Sequence, residues 1–221
     1  YVENRVSYNQ REGRDLPCPD LGELAAHDGE GEPSEAQDHS RLSEGVSALS
    51  AGGTDFVVID CPGAHTRLAR LAHSLADTLI TPLNDSFIDF DLLARIDPAT
   101  GKVLGPSIYS EMVWSARQLR ARAGRDALDW VVLRNRLGSQ QMHNKRKMGD
   151  ALSNLSRRIG FRVAPGFAER VIFRELFGQG LTLLDLRDIG VTTLSLSNVA
   201  ARQEVRDLVT ELRLPGVSVT F

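Results

Sequence analysis

Residues 56–63 read FVVIDCPG, four apolar positions followed by an aspartate and a Cys-Pro-Gly turn. A short apolar run that is rich in β-branched residues and bounded by turn residues predicts a strand covered on both faces, which is typical of a parallel sheet. We therefore expect a buried strand over 56–60. What lies beyond its end must account for a carboxylate and a glycine placed together.

Three further apolar runs follow this one along the chain. TLITP at 78–82, DWVVLRN at 129–135 and FRVAP at 161–165 each predict a strand, and Pro82 is expected to end the first of them. Helical patterns separate these runs, and strands that alternate with helices predict right-handed βαβ units. The predicted fold class is α/β, with a doubly wound, mostly parallel sheet flanked by helices.

Helical periodicity is clearest just after the first predicted strand. One face of a helix is marked there by apolar residues at the spacing i, i+3, i+4 and i+7, namely Leu68, Leu71, Ala72 and Leu75. Other helices are predicted over 41–50, from a cap at Asn84 or Asp85, over 107–123, over 139–159, and along a stripe of Val205, Leu208, Val209 and Leu212. Trp114 and Trp130 are expected to pack in the core.

Composition limits the classes of protein to consider. With 221 residues, of which 42% are hydrophobic, the chain suits one α/β domain over 1–221, in which residues 9–40 form a flexible acidic loop or insertion. A net charge of −3 argues against nucleic-acid binding through global charge. Cys18 and Cys61 lack the spacing of a metal site or a disulfide framework. We expect a cytoplasmic protein without a membrane span.

The Asp-x-x-Gly pattern of residues 60–63 is the most informative chemical motif. In P-loop nucleotide hydrolases an aspartate at a strand end reaches Mg²⁺, often through water, while a glycine lets a backbone amide approach the γ-phosphate. Asp60 and Gly63 would take these roles. The alternative is that Asp60 caps the next helix and that Pro62 and Gly63 form an ordinary turn.

Asn135 ends another predicted core strand and is a second candidate. Its amide offers one donor and one acceptor, which is the pair needed to read the edge of an adenine ring. The alternative role is turn formation or capping of the strand end. Arg134 and Arg136 beside it are expected to be solvated surface residues.

Four stretches together resemble a known family: DFVVIDCPG at 55–63, LADTLITPLNDSFIDFDLL at 75–93, DWVVLRNRL at 129–137 and GFRVAPGFAERVIFRELFGQGLTLLDL at 160–186. They are very similar to the MipZ-type division-site-positioning proteins of alphaproteobacteria, which belong to the ParA/MinD family of deviant Walker ATPases. The resemblance extends from about residue 55 to about residue 212.

The resemblance implies ATP or ADP and Mg²⁺ as cofactors. It makes Asp60 the Walker B aspartate behind the Mg²⁺ shell and Gly63 the glycine that senses the γ-phosphate. The resemblance further implies that Asn135 recognises adenine and that the loop of Pro165, Gly166 and Phe167 closes over the base. Implied partners are a second copy in an ATP-dependent homodimer, nonspecific DNA, a ParB-type partition protein and the tubulin-like division protein FtsZ, but no membrane. The implied location is the nucleoid and the cell pole.

The sequence MHNKRKMGDALSNLSRRIGFR at 142–162 predicts a helix whose apolar face is formed by Met148, Leu152, Leu155 and Ile159. His143, Arg146 and Arg157 are expected roughly opposite that face, with Lys147 and Arg158 on one flank. The alternative to a binding role is a solvated amphipathic helix. The resemblance favours a DNA-binding surface whose contacts go to phosphates. The candidate DNA-binding residues are His143, Arg146, Lys147, Arg157 and Arg158.

Two departures from the family pattern matter. Cys61 stands where the family usually has threonine, and it is either a small buried filler or an oxidation site beside the phosphates. No Gly-rich phosphate loop ending in Gly-Lys-Ser/Thr occurs in the sequence. We therefore expect an N-terminally truncated chain that cannot hydrolyse ATP by itself. A partition ATPase and a noncatalytic interaction module remain as alternative functions.

Overall fold

The computed structural model describes residues 1–24, 32–84, 87–97, 103–138 and 142–218. Within these residues helices and strands alternate along most of the chain. The helices are α1 Val2–Glu12, α2 Glu32–Ala51, α3 Arg67–Leu75, α4 Phe87–Phe90, α5 Ile108–Arg122, α6 Met142–Ile159, α7 Val171–Gly178 and α8 Leu196–Leu212. The strands are β1 Thr78–Asn84, β2 Ala94–Ile96, β3 Val103–Pro106, β4 Asp129–Asn135 and β5 Arg162–Ala164.

In the described part of the chain the main sheet has three strands in the order β1-β4-β5, and β4 and β5 run parallel. Helices flank it, so the α/β prediction with a parallel sheet is confirmed. The strand predicted at 129–135 agrees with β4 residue for residue, and that at 161–165 contains β5. Burial explains the agreement, because Val131 and Val132 have no exposed surface.

The chain forms two compact units, of which the first comprises Tyr1–Pro19, Ile80–Asp91 and Trp130–Phe221. One of its clusters joins α1 to α7, α8 and the turns between them through Tyr8, Leu16, Leu176, Leu181, Leu183, Leu186 and Ala201. A second cluster packs α8 on the sheet through Val131, Leu133, Ala164 and Leu212. Helix α1 and helix α7 were not predicted.

A buried ion pair ties α1 to the turn after α7 in this unit. Arg5 Nη2 lies 2.7 Å from Asp185 Oδ2, and the two side chains are 3% and 10% exposed. The same oxygen accepts hydrogen bonds from the backbone N–H and the hydroxyl of Thr182, at 2.6 and 2.8 Å. Burial alone would raise the pKa of Asp185, but hydrogen bonds from Arg5 and Thr182 lower it.

The second unit comprises Asp20–Leu79 and Leu92–Asp129. Its helices α2, α3 and α5 pack together, and β2 and β3 form an antiparallel hairpin. Arg120, buried on α5, donates from Nη1 to the carbonyls of Ser74 and Leu75 at 3.3 and 3.0 Å. These carbonyls end α3 and need partners from elsewhere in the chain.

The strand predicted over 56–60 is wrong. These residues have no helix or strand structure, Val58 is 90% exposed and Phe56 is 43% exposed. An apolar composition favours a strand only where a neighbouring strand supplies the ladder of hydrogen bonds. Among the described residues, no such pairing is formed by this segment.

Predictions at the ends of elements also needed correction. Pro82 does not end β1, which continues to Asn84. In the sheet formed by the described residues β1 lies at the edge, and an edge strand tolerates proline. Residues 9–12 belong to α1 and 32–40 to α2, so the predicted loop over 9–40 was wrong at both ends. Residues 25–31 lie outside the described part.

The helix predicted after Asn84 is largely replaced by the short α4 and the β2–β3 hairpin. Ser107 and Ser110 of the α5 N-terminus donate to the carbonyls of Leu92 and Leu93, and the second bond is 2.6 Å long. This tertiary pairing fixes a turn where local periodicity indicated a helix. Asn84 instead donates its N–H to Asp89 Oδ2 at 2.8 Å, while Asp85 lies outside the described residues.

The remaining helix predictions are confirmed in outline for the described residues. Residues 139–141 of the helix predicted over 139–159 lie outside them. Helix α5 differs by one residue at each end from the predicted 107–123, and Leu212 of the α8 stripe is buried. Trp130 is 2% exposed and its indole N–H donates to Thr81 Oγ1 at 3.0 Å, whereas Trp114 is 61% exposed and is not a core residue. None of the helices described is long and apolar enough to cross a membrane.

Candidate nucleotide-binding site

The end of β4 pairs with the segment that follows β5. The N–H of Phe167 donates to the carbonyl of Arg134, and the N–H of Leu137 donates to the carbonyl of Phe167, each at 2.9 Å. A parallel bridge joins Leu137 to Ala168. The structure therefore brings Asn135 beside the loop of residues 165–167, two features that the sequence placed in the same predicted site.

Gly166 is required by this close approach. A Cβ atom added to it would lie 2.3 Å from the carbonyl oxygen of Arg134 and 3.0 Å from Leu137 Cδ1. A backbone oxygen cannot move away without breaking the pairing, so only glycine fits. The sequence singled out Gly166 through the family resemblance, and the packing supplies a physical reason for it.

Asn135 caps the end of its own strand. Its side chain is half-buried, and Oδ1 accepts the backbone N–H of Arg136 at 2.9 Å. Arg136 adopts a left-handed conformation with φ of 52°, which turns the chain sharply at this point. The capping alternative is thus realised. It leaves base recognition open, because a carbonyl oxygen has a second lone pair and the Nδ2 amide can donate.

Phe167 is held by the core of its unit. Its half-buried ring packs against the cluster between the sheet and α8, and it meets Phe173 edge to face with centroids 5.8 Å apart. Such packing restricts the ring to a narrow range of positions. Pro165 is exposed beside it. Whether the loop contacts a base stays a prediction.

An ion pair that the sequence did not reveal secures the far side of the loop. Arg170 Nη2 lies 2.8 Å from Oε1 of Glu204 on α8, and Glu204 Oε2 accepts the N–H of Ala168 at 3.3 Å. The hydrogen bond to Glu204 raises the pKa of Arg170. The partners are 34 positions apart in the sequence, which explains why no local pattern indicated this contact.

Asp60 and Gly63 lie in the second unit, within the irregular segment that ends at α3. The cap of α3 is Thr66, whose Oγ1 accepts the N–H of Ala69 at 3.1 Å, so Asp60 does not cap this helix. The carboxylate of Asp60 is exposed, and a Cβ added at Gly63 would meet no atom within 4 Å. Open space at Gly63 is compatible with a phosphate approaching its backbone.

A magnesium ion at this position would depend on few protein ligands. Among the described residues there is no group of three His, Cys, Asp or Glu side chains that could hold a metal. One exposed carboxylate can carry a hydrated Mg²⁺, which usually keeps several waters and takes further oxygens from phosphates. Asp60 fits that limited role.

Cys61 is half-buried next to Asp60. Burial raises the pKa of the thiol, and the nearby charge of Asp60 raises it further. A thiol with a raised pKa stays protonated near neutral pH and reacts slowly. These surroundings favour the filler interpretation of Cys61 over the oxidation site.

Helix α6 presents two of the five candidate DNA-binding side chains in the described residues. Arg157 and Arg158 are exposed near its C-terminus, and Arg157 also contacts Asn154. The opposite face is buried as predicted at Met148, Leu152 and Leu155, while Ile159 is half-buried. His143, Arg146 and Lys147 belong to the helix, but their side chains lie outside the described residues.

Comparison with known proteins gives the family. A family model described as ATPase MipZ matches residues 1–216, which is nearly the whole chain. A search of curated proteins finds no match. The match covers the segment of Asp60 and Gly63 as well as the junction of Asn135 with residues 165–167. The chain belongs to the MipZ ATPase family.

Proposed function

We propose that this ATPase-family chain acts in a nucleotide-switched regulator of bacterial division-site placement. The observation that supports the proposal is the junction at the end of β4. The N–H of Phe167 donates there to the carbonyl of Arg134, and the N–H of Leu137 donates to the carbonyl of Phe167, each at 2.9 Å. This junction lies directly beside Asn135. It places an amide side chain, Asn135, next to a loop whose glycine cannot be replaced. Such a fixed polar group beside an aromatic residue suits a flat heterocyclic base.

The base would be adenine. Asn135 can donate from Nδ2 to a ring nitrogen and accept the exocyclic amino group at Oδ1, the bidentate pattern by which asparagine reads adenine. Guanine presents a carbonyl oxygen where adenine has its amino group, and it therefore mismatches the acceptor. ATP and ADP are the expected nucleotides.

Phosphate binding would use Asp60 and Gly63. Bound Mg²⁺ supplies positive charge against the β- and γ-phosphates. Asp60 would hold that ion through a water molecule, and Gly63 would offer its backbone N–H to the γ-phosphate because no Cβ blocks the approach. The segment before α3 would therefore contact the γ-phosphate directly when it is present and lose that contact when it is absent.

Hydrolysis by the chain alone is not expected, because its sequence contains no Gly-rich loop ending in Gly-Lys-Ser/Thr. The test is phosphate release from ATP by the purified chain, compared with the same chain carrying any coding sequence that precedes it in the gene. Release by the unextended chain at a rate equal to that of the extended one would contradict the expectation.

DNA binding would use the exposed arginines of α6. Contacts of Arg157 and Arg158 with phosphates release counterions, so affinity falls with salt and is independent of base sequence. Replacing both with alanine is expected to reduce the slope of log affinity against log salt by roughly 1.8, since each phosphate contact contributes about 0.9. R122A, which removes an exposed arginine from α5, is the control. An unchanged slope in R157A/R158A would remove these residues from the interface.

The partners expected for the ATP-bound homodimer are a ParB-type partition protein and FtsZ, at the nucleoid and the cell pole. The deciding experiment is sedimentation of FtsZ polymers with the extended protein and ATP or ADP. Less pelleted FtsZ with ATP only supports division control. Equal pellets in both states would instead favour a chromosome or plasmid partition ATPase.

A noncatalytic interaction module is the second candidate. It is favoured by the exposure of residues 56–63, where Val58 is 90% exposed and Asp60 lies in no regular structure. A fluorescent ATP analogue separates the two. Saturable, Mg²⁺-dependent binding by the extended protein supports the nucleotide switch, and its absence supports the module.

A further inference from the structure

The carboxylate of Glu204 on helix α8 accepts hydrogen bonds from the loop after β5. Glu204 Oε1 lies 2.8 Å from Arg170 Nη2, while Oε2 lies 3.3 Å from Arg170 Nε and 3.3 Å from the backbone nitrogen of Ala168. The side chains of Arg170 and Glu204 are 21% and 20% exposed. A partly buried carboxylate that accepts three N–H groups holds its partners more firmly than a surface pair does.

Arg170 is also tied to α8 at a second point. Its Nη1 donates to Ser197 Oγ at 3.1 Å, and its backbone is the N-cap of α7. The segment of residues 168–170 is therefore fixed at both its backbone and its side chain by a helix far along the chain. Movement of this segment relative to α8 would require several hydrogen bonds to break together.

The same segment reaches Asn135 through the backbone. Ala168 forms a parallel bridge with Leu137, and Glu169 donates its N–H to the carbonyl of Leu137 at 3.2 Å. Leu137 is two residues from Asn135, and the turn between them is set by the left-handed Arg136. A continuous set of hydrogen bonds thus runs from α8 to the strand end.

We propose that Glu204 is the positioning residue of the base site, setting the distance between Asn135 and residues 165–167 and thereby the preference for adenine over guanine. This inference rests on the proposed function of that site. Glu204 touches no base. It acts by holding Ala168 and Arg170, so that the loop cannot widen to admit a base with the wrong edge.

A second ion pair on α8 provides a matched control. Glu211 lies two turns further along the same helix and pairs with Arg162, whose Nη1 also donates to the carbonyl of Glu211 at 2.7 Å. Arg162 belongs to β5, not to the loop. E211A therefore removes a carboxylate–arginine pair of the same chemistry from the same helix without releasing Ala168.

The first measurement is amide hydrogen exchange in the protein without nucleotide. E204A is expected to speed exchange at Ala168, Phe167 and Leu137 by about five- to tenfold, the effect of losing one to two ordinary hydrogen bonds from a local structure. E204Q keeps an acceptor and should speed exchange less. E211A should leave these three amides unchanged. Equal exchange in E204A and the original chain would overturn the proposal.

The second measurement is the affinity ratio for adenosine and guanosine, nucleosides that need no phosphate loop. E204A is expected to lower the ratio about tenfold, E204Q to restore part of it, and E211A to leave it intact. A normal ratio in E204A despite faster exchange would overturn the positioning role. If the original chain binds neither nucleoside, the proposed base site itself fails, while the exchange data still decide whether Glu204 holds the loop.

Discussion

FVVID at 56–60 and WVVLR at 130–134 have nearly the same pattern of residue types, yet only the second forms a strand. Val132 has no exposed surface, whereas Val58 is 90% exposed. β4 finds a neighbour on each side, in β1 and β5, while residues 56–60 form no ladder with the described part of the chain. An apolar run therefore forms a strand only where another strand pairs with it.

The contrast extends to the two groups of candidate residues. The surroundings of Asn135 are determined by packing, because Gly166, Phe167 and the β4–β5 junction fix one another. The segment that contains Asp60 and Gly63 is open to solvent, and its packing requires neither residue type. Matched substitutions in the two regions should therefore separate residues needed for folding from residues available for function.

The largest difference is expected between D185N and D60N. D185N leaves the guanidinium of Arg5 buried without its counter-charge, which should lower the free energy of unfolding by about 3 kcal/mol. D60N should leave the urea midpoint unchanged, because the carboxylate of Asp60 is exposed. Urea unfolding of both variants checks this. A larger loss of stability in D60N than in D185N would show that residues 56–63 contribute to the stability of the folded chain.

The Asp185 pair also predicts a pH dependence. Hydrogen bonds depress the folded-state pKa of Asp185, so its contribution is fully present above the unfolded pKa of about 3.9 and is lost as pH falls through the folded value. The stability difference between the original chain and D185N should stay constant from about pH 7 to pH 5 and shrink below about pH 4. A constant difference down to about pH 3 would contradict it.

The two glycines come next. G166A places a Cβ 2.3 Å from the carbonyl oxygen of Arg134 and should cost about 3 kcal/mol, at the upper end for forced overpacking. G63A meets open space and should change the free energy of unfolding by less than about 0.5 kcal/mol. Thermal unfolding measures both. Equal losses would mean that Gly63 is also held in a tight environment.

The two valines give a smaller effect. V132A removes buried methyl groups from the middle of β4 and should cost about 2 kcal/mol, while V58A should cost nothing measurable. The midpoints of denaturant unfolding, compared at equal m-values, measure the difference in stability between V132A and V58A. A loss in V58A comparable to that in V132A would indicate that residues 56–60 pack as a strand in solution.

The smallest effect is expected at the edge strand. T81V removes the acceptor of the Trp130 indole N–H, which lies 3.0 Å away in a buried position, and should cost about 1 kcal/mol. T81S keeps the hydroxyl and serves as the control. Tryptophan fluorescence during unfolding follows the change directly. An unchanged midpoint in T81V would mean that the indole finds another acceptor.

The spacing of apolar residues was sufficient to predict an element where those residues form an unbroken buried face. The apolar run of β4 and the inner face of α6 could be predicted, because Val131, Leu152 and Leu155 are buried at the spacing that the sequence displays. The resemblance added the association of Asn135 with residues 165–167, which no period could supply. The predicted strand at 56–60 failed because a ladder depends on residues distant in sequence.

Contacts between distant residues were beyond sequence reasoning altogether. Arg120 reaches the end of α3 across 45 and 46 residues, and Arg5 meets Asp185 across 180 residues. Arginine on a helix is ordinarily solvent-exposed, and nothing local distinguishes the buried ones. The hold of Glu204 on Ala168 belongs to the same class, which is why the residue inferred to set the base site came only from the structure.

The claim that Asn135 reads adenine at the end of β4 can be tested by nucleoside binding to the chain and to N135A. N154A, which replaces an exposed asparagine on α6, is the control. Adenosine is expected to bind more tightly than guanosine, N135A to weaken adenosine binding by about tenfold or more, and N154A to leave it unchanged. Equal binding of adenosine by N135A and the original chain would contradict the claim.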